Sequence, residues 1–216
     1  MAVSTDVVVA VVADPSLLAD RYSRLSESAP ELRIAAVVPS VSELAPLVST
    51  VRVALVDLRL SDGSAPVDNV AALVAAGVSV LAVSSAEDRG IIQQAARAGA
   101  VGLLRKTAEP HEIVDAIRRA ARGAEYVTAD WAAAIDADPL LADVPLTAEQ
   151  EAVLGALASG EPPQSLVTRL RVSSQYIHDL VGIVRQQLTN AANIVAPTSQ
   201  PPDSLSGGPS STRGIL

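Results

Sequence analysis

Five short runs of aliphatic residues alternate with amphipathic helical patterns in the first half of the chain, and this alternation limits the fold more than any other feature. The runs lie at 7–12, 33–38, 53–58, 78–83 and 101–104. Short valine-rich runs are typical of strands that are buried on both faces of a parallel sheet. The pattern therefore predicts an α/β fold, with a doubly wound five-stranded parallel sheet.

A second set of patterns predicts a small all-α unit after residue 145. Thr147 and Gln150 form a capping box that begins a helix reaching about Ala158. A short helix ending near Leu170 follows, then a turn, and then a helix over Ser174–Leu188. Helix, short helix, tight turn and helix is the organisation of a helix-turn-helix.

These patterns predict four parts of the chain. Residues 1–123 form the α/β domain, and residues 124–145 form an acidic linker that holds Trp131. Residues 146–195 form the helix-turn-helix domain, whose last helix is reduced to about Asn190–Val195. Residues 196–216 are rich in Pro, Ser and Gly and are predicted to be a disordered tail.

Composition excludes several classes of function. The chain has no cysteine and two histidines, which excludes disulfide frameworks, cysteine zinc sites and histidine-rich metal sites. No apolar run approaches the ~20 residues that a membrane-spanning helix needs, and the N-terminus lacks the pattern of a secretory signal. We expect a cytoplasmic protein with no membrane partner. The net charge of −8 disfavours strong binding to nucleic acid.

Polar side chains lie at or just after the ends of four of the predicted strands. They are Asp14, Asp57, Ser84 and Lys106, the last being the only lysine in the chain. The carboxyl ends of the strands in a doubly wound sheet share one rim, so these side chains are expected to converge. A carboxylate can accept a phosphoryl group, two carboxylates can hold Mg²⁺, and a hydroxyl and an ammonium can bind phosphoryl oxygens.

The first 122 residues resemble the receiver domain of response regulators. The resemblance rests on Val53–Gly63, Val80–Ser85, Ala98–Lys106 and Glu112–Gly123. It implies that Asp57 is the phospho-acceptor, that Ser84 and Lys106 contact the phosphoryl group, and that Asp14 and Asp57 bind Mg²⁺. It also implies a phosphorelay in a two-component system, with a sensor histidine kinase as partner.

Three positions depart from the receiver pattern. Ala13 stands where the family has the first of two adjacent acids, which weakens the expected Mg²⁺ site. Leu103 replaces the switch aromatic, and Ser61 replaces a proline after the phospho-acceptor. A receiver-like domain that never takes a phosphoryl group therefore remains an alternative.

Residues 145–188 resemble the LuxR/NarL-type output domain, on the evidence of Leu146–Leu154, Ala158–Gly160, Leu166–Leu170 and Val172-Ser173. The resemblance implies binding of double-stranded DNA through the last helix. Its expected solvent face gives the candidate DNA-binding residues Ser174, Gln175, His178 and Arg185. Asp179 lies on the same expected face and would be repelled by DNA phosphates.

Two functions follow from these observations. The first is a transcription regulator, in which a phosphoryl group on Asp57 or a partner controls the helix-turn-helix, with a homodimer as one possible active form. The alternative is a non-DNA-binding adaptor that acts through protein contacts of the receiver-like domain. An aspartyl phosphatase is disfavoured, because Arg59 stands where that class has a second acid and no glycine-rich phosphate loop follows the first strand. We therefore expect no enzymatic activity.

Overall fold

The computed structural model describes residues 6–14, 25 and 29–195. Its sheet has five parallel strands in the order β2-β1-β3-β4-β5. The strands are β1 Val7–Val12, β2 Leu32–Val38, β3 Val53–Asp57, β4 Ser79–Ser84 and β5 Leu103–Arg105. The predicted fold class is therefore confirmed, and the strand positions agree with the prediction to within about two residues.

Four helices accompany the described part of the sheet. They are α1 Val41–Leu44, α2 Pro66–Ala75, α3 Arg89–Arg97 and α4 Pro110–Ala121. The sequence predicted one α-helix over 41–48, but a 3-10 helix, Ala45–Thr50, replaces its second half. Pro46 in the first turn of that segment has no N–H to donate, which disfavours continued α-helical hydrogen bonding.

The two faces of the sheet bury alternate residues of the same strands. Val9, Val11, Val53 and Leu55 lie in a core on one face, which α4 covers with Ile113 and Ile117. The neighbouring residues of β1, β3 and β4 lie in a core on the other face. This alternation is the period-2 geometry of a strand, and it explains why the interior positions of the central strands are apolar.

The C-terminal helical region follows the sheet. It contains α5 Ala129–Asp136, a 3-10 turn Pro139–Asp143, α6 Ala148–Ala158, α7 Pro163–Leu170 and α8 Ser174–Val195. Thr147 caps α6 as predicted, since its hydroxyl accepts from the N–H of Gln150. Arg171 ends α7 in the left-handed conformation, with φ of 56°, and so forms the tight turn before α8.

The C-terminal helical region and the sheet share one hydrophobic core. Trp131 of α5, Leu154 of α6 and Val181 of α8 belong to the same cluster of buried residues as Val56 of β3 and Ile92 of α3. Residues 124–145, which the sequence predicted to be an acidic linker, are therefore packed structure. Trp131, Ala132, Ala134 and Ile135 of this segment are fully buried.

The last helix is longer than predicted. The sequence predicted a helix to Leu188 and a separate short helix at about Asn190–Val195, whereas α8 is continuous to Val195. No glycine or proline interrupts residues 183–195, so the backbone bonding of the helix can continue through the polar residues.

Two predictions fall mainly outside the described residues. The first is a helix from Pro15 to about Ser28, of which only Leu25 is described; it is helical and buried. The second is the disordered tail at 196–216. Within the part of the chain that the structure describes, no helix is long and apolar enough to cross a bilayer.

Candidate functional site

Asp57, Ser84 and Lys106 come together at the carboxyl edge of the sheet. Asp57 ends β3 and pairs in register with Val83, while Ser84 pairs with Arg105. The Nζ of Lys106 lies 2.6 Å from Oδ2 of Asp57, and the backbone N–H of Lys106 donates to the carbonyl of Ser84 at 2.8 Å. The order of the strands thus gathers residues that lie far apart in the sequence.

The Asp57 carboxylate already has a partner at each oxygen. Oδ1 accepts the backbone N–H of Arg59 at 2.9 Å, and Oδ2 pairs with Lys106. Asp57 is buried, but the Lys106 side chain is 36% exposed. The ammonium therefore lies at the mouth of the site, where a phosphoryl oxygen arriving from solvent could reach it.

The residues for a magnesium ion are incomplete. Asp14 follows β1 at the same edge, but Ala13 beside it is buried and offers no oxygen ligand from its side chain. Among the described residues, no three acidic or histidine side chains lie close enough together to hold a metal ion. Mg²⁺ can be held by one or two carboxylates with water, and the pairing of Asp14 with Asp57 at such a site stays a prediction.

Ser84 makes a local contact in this structure. Its Oγ accepts the N–H of Ala86 at 3.1 Å, and Ala86 has a positive φ of 65°. A non-glycine residue in the left-handed region is uncommon, so the hydroxyl holds a strained loop beside Asp57. A hydroxyl that accepts this bond can still donate its own proton to a phosphoryl oxygen.

The expectation that His178 and Arg185 face solvent is wrong. His178 is 5% exposed and Arg185 is 7% exposed. Both lie on the side of α8 that packs against the rest of the chain. The sequence argument assumed that polar side chains mark the outer face of the helix, but here they meet buried polar partners on its inner face.

Glu125 is the partner of Arg185. The Nε of Arg185 lies 3.1 Å from both carboxylate oxygens of Glu125, and the indole N–H of Trp131 donates to Oε1 at 2.9 Å. Burial raises the pKa of the Glu125 carboxyl, while the Arg185 charge and the Trp131 hydrogen bond counteract that rise. This buried triad ties α8 to the segment that follows α4.

His178 makes a second buried contact between α8 and the segment that follows α4. Its Nδ1 accepts the backbone N–H of Val127 at 3.2 Å, which requires the neutral ring. Burial, followed by the charge of Arg119, lowers the pKa of His178 to about 4, although Asp115, Glu125 and Asp179 act in the opposite direction. His178 is therefore neutral at neutral pH and bound inside the protein.

Helix α3 also holds the C-terminal helical region. Thr189 Oγ1 of α8 donates to the carbonyl of Ala96 at 3.1 Å. Arg97 makes two hydrogen bonds with the buried Asp138, at 2.6 and 2.7 Å. An adaptor would bind other proteins through its receiver-like domain, but the chain's own helices cover α3 in this conformation.

Ser174 and Gln175, the other two candidate DNA contacts, lie at the start of α8. Gln175 is exposed, and its amide donates to Asp179 at 2.7 Å. Ser174 is half-buried. The four candidates therefore do not form one surface, because His178 and Arg185 are buried beneath the helix while Gln175 is exposed.

Glu125 was missed by sequence reasoning. It is 60 residues from Arg185, and nothing local distinguishes it from the other acids around residue 130. Trp131, the only tryptophan of the chain, is fully buried beside it.

The similarity of this chain to known proteins agrees with the geometry. No family model matches the chain. The transcriptional regulatory protein UhpA of Salmonella typhimurium is 27% identical over 174 residues, which cover 80% of this chain and 86% of UhpA.

Two solved structures share the fold. ChrA, the response regulator of a heme-sensing two-component system, aligns with 88% of this chain and 98% of its own, with a TM-score of 0.52 and 21% identity. A LuxR-family response regulator from Aurantimonas aligns with 58% of this chain and 91% of its own, with a TM-score of 0.51 and 23% identity. The chain is thus similar in sequence to a transcriptional regulatory protein and in fold to response regulators, which agrees with the resemblance that its motifs predicted.

Proposed function

We propose that this protein regulates transcription, and that its receiver-like domain controls the access of double-stranded DNA to α8. The observation that carries the proposal is the burial of Arg185 and His178 of α8 against the segment that follows the receiver-like domain. UhpA, a relative over most of the chain, is named a transcriptional regulator. In the closed arrangement, the basic side chain that α8 could offer to DNA is paired with Glu125.

The input would be a phosphoryl group on Asp57 or a partner that binds the receiver-like domain. A carboxylate oxygen of Asp57 would attack phosphorus and displace the leaving group of a phosphodonor, such as a sensor histidine kinase. Lys106 would then exchange its contact with Oδ2 for one with a phosphoryl oxygen, and Ser84 would bind a second oxygen. Asp14 and Asp57 would hold Mg²⁺, which offsets negative charge on the phosphoryl group.

The output would be an open conformation in which α8 leaves the Glu125 triad. Opening returns the Arg185 guanidinium to solvent, where it can bind a DNA phosphate, and frees the ring of His178. Gln175 could then hydrogen-bond an adenine edge, and Ser174 could bind the backbone. Asp179 would weaken binding, so we expect modest affinity and a strong dependence on salt.

An adaptor that binds protein is the second candidate, and one observation favours it. Between residues 174 and 195, Arg185 is the only Lys or Arg, and it is buried. The outer face of the same helix carries exposed Tyr176 and Ile183 together with Asp179. An apolar and acidic face suits a protein better than it suits DNA.

Binding of full-length protein to genomic fragments, including its own upstream region, separates the two candidates. The assay is run at low and physiological salt, with and without beryllofluoride, which mimics a phosphoryl group. We expect selective binding that beryllofluoride strengthens, and no such effect in Asp57→Asn. Absence of binding at low salt in both states would overturn the proposal and favour the adaptor.

A further inference from the structure

A cavity of about 390 Å³ lies at the amino edge of the sheet, opposite the Asp57 site. Its apolar floor is formed by Val7 and Val8 of β1 and by Ala121 at the end of α4. Its volume falls within the roughly 300–1,000 Å³ range that is usual for small-molecule sites. The receiver chemistry at Asp57 does not account for it.

Three arginines stand around this cavity, although the protein as a whole is strongly acidic. Arg52 donates from Nε to the carbonyl of Ala121 at 2.9 Å, which fixes its guanidinium at the wall. Arg118 pairs with Glu31. Arg122 forms no ion pair with any residue that the structure describes, and neither does Arg52. Asp6 is the acid among the described lining residues.

We propose that this cavity binds a small anion with an apolar body, such as an aromatic or short-chain carboxylate or sulfonate. The apolar part would lie on Val7, Val8 and Ala121, and the anionic group would take charge-assisted hydrogen bonds from Arg52 and Arg122. A guanidinium is suited to this task because its planar fork matches a carboxylate. Arg122 lies three residues before Glu125, so a bound anion would lie close to the triad that holds α8.

Two fluorescent probes test the proposal on the full-length protein. Anilinonaphthalene sulfonate has the required chemistry, and N-phenylnaphthylamine has the same aromatic body without the anionic group. We expect the sulfonate to bind with a stoichiometry of one, and more tightly than the neutral probe. Arg122→Gln should weaken sulfonate binding by about tenfold, the effect of losing one charge-assisted contact, and the double variant Arg52→Gln/Arg122→Gln should weaken it further.

Arg171→Gln is the matched control, since it removes the same charge from an exposed site in the helix-turn-helix. It should bind the sulfonate like the wild type. Circular dichroism and the emission of Trp131 verify that each variant is folded. Equal affinity for the two probes, unchanged affinity in the double variant, or no binding by the wild type would each overturn the proposal.

Discussion

Two of the ion pairs that join distant parts of this chain differ in access to solvent. In the Asp57–Lys106 pair, the lysine side chain is 36% exposed. In the Glu125–Arg185 pair, the side chains are 2% and 9% exposed, and the indole of Trp131 completes the set. The first pair can exchange a partner for an incoming anion, whereas the second can exchange only if the helices that cover it separate.

This difference gives the two pairs different proposed roles. Because the lysine of the first pair reaches water, its charge is partly screened, and its ammonium can turn to an incoming anion without a movement of helices. A sealed pair is strongly destabilising to break, because the remaining charge is left buried without a partner. We therefore assign reception of a signal to the Asp57 site and retention of α8 to the Glu125 triad.

Asp57→Asn gives the largest expected effect. The amide lacks the anionic oxygen that attacks phosphorus, so labelling of the protein by a small phosphodonor should fall to background. Mass spectrometry of intact protein measures the label. Emission from Trp131 should be unchanged, because asparagine has nearly the same size and shape as aspartate. Label that persists in Asp57→Asn would remove Asp57 from its proposed role.

Arg185→Ala should destabilise the protein by about 3–5 kcal/mol, since it leaves the Glu125 carboxylate buried without its cation. Urea unfolding, followed by the emission of Trp131, measures the change. Arg169→Ala is the control, because Arg169 pairs with Glu161 at the surface and its loss should cost about 1 kcal/mol or less. If the two variants lost similar amounts of unfolding free energy, the Glu125–Arg185 pair would stabilise the fold no more than a surface ion pair does.

Whether the sequence predicts where a side chain lies depends on which part of the structure determines its position. Asp57 and Lys106 follow buried strands, and parallel strands bring their carboxyl ends to one edge whatever packs around them. The inner face of α8 is defined by its neighbours. His178 and Arg185 are polar, so the helical period assigned them to the outer face. It could not reveal that their hydrogen-bond partners, the Glu125 carboxylate and the N–H of Val127, lie beneath the helix.

Residues 124–145 illustrate the same limit. Five acids and no base made this segment look like a solvated linker. Asp138 is instead buried against Arg97, and Asp130 pairs with Arg105. The partners lie more than 20 residues away in the sequence, so the local composition indicated exposure where the fold provides neutralising charges.

Lowering the pH should loosen α8 before the α/β region unfolds. The pKa of His178 is about 4 in the closed structure and 6.5 when the ring is free, so the closed form binds fewer protons. The stability that neutral His178 gives to the closed form is therefore fully present above pH 6.5 and is lost progressively as the pH falls toward 4. Hydrogen exchange of α8 amides across this range measures the loosening.

His178→Leu should remove most of this pH dependence, because the substituted residue cannot be protonated. His111→Gln is the control, since His111 is exposed at the start of α4 and should leave the dependence as in the wild type. If His178→Leu and the wild type loosened over the same pH range, another group would be responsible.

Thr189→Val gives the smallest expected effect. It removes the hydrogen bond from α8 to the carbonyl of Ala96 while keeping the shape of the side chain, and the expected loss is about 1 kcal/mol. Urea unfolding is again the measurement. A loss as large as that of Arg185→Ala would mean that α3, and not the Glu125 triad, retains α8.

The binding of DNA by Glu125→Gln tests the central claim most directly. This variant keeps every side chain that α8 could offer to DNA and leaves Arg185 without its counter-charge. Glu161→Gln is the matched control, because it changes the net charge equally at a surface pair. We expect Glu125→Gln to bind genomic fragments more tightly than the wild type and Glu161→Gln without beryllofluoride at physiological salt. Equal binding by the three proteins would contradict the claim that the Glu125 triad holds α8 away from DNA.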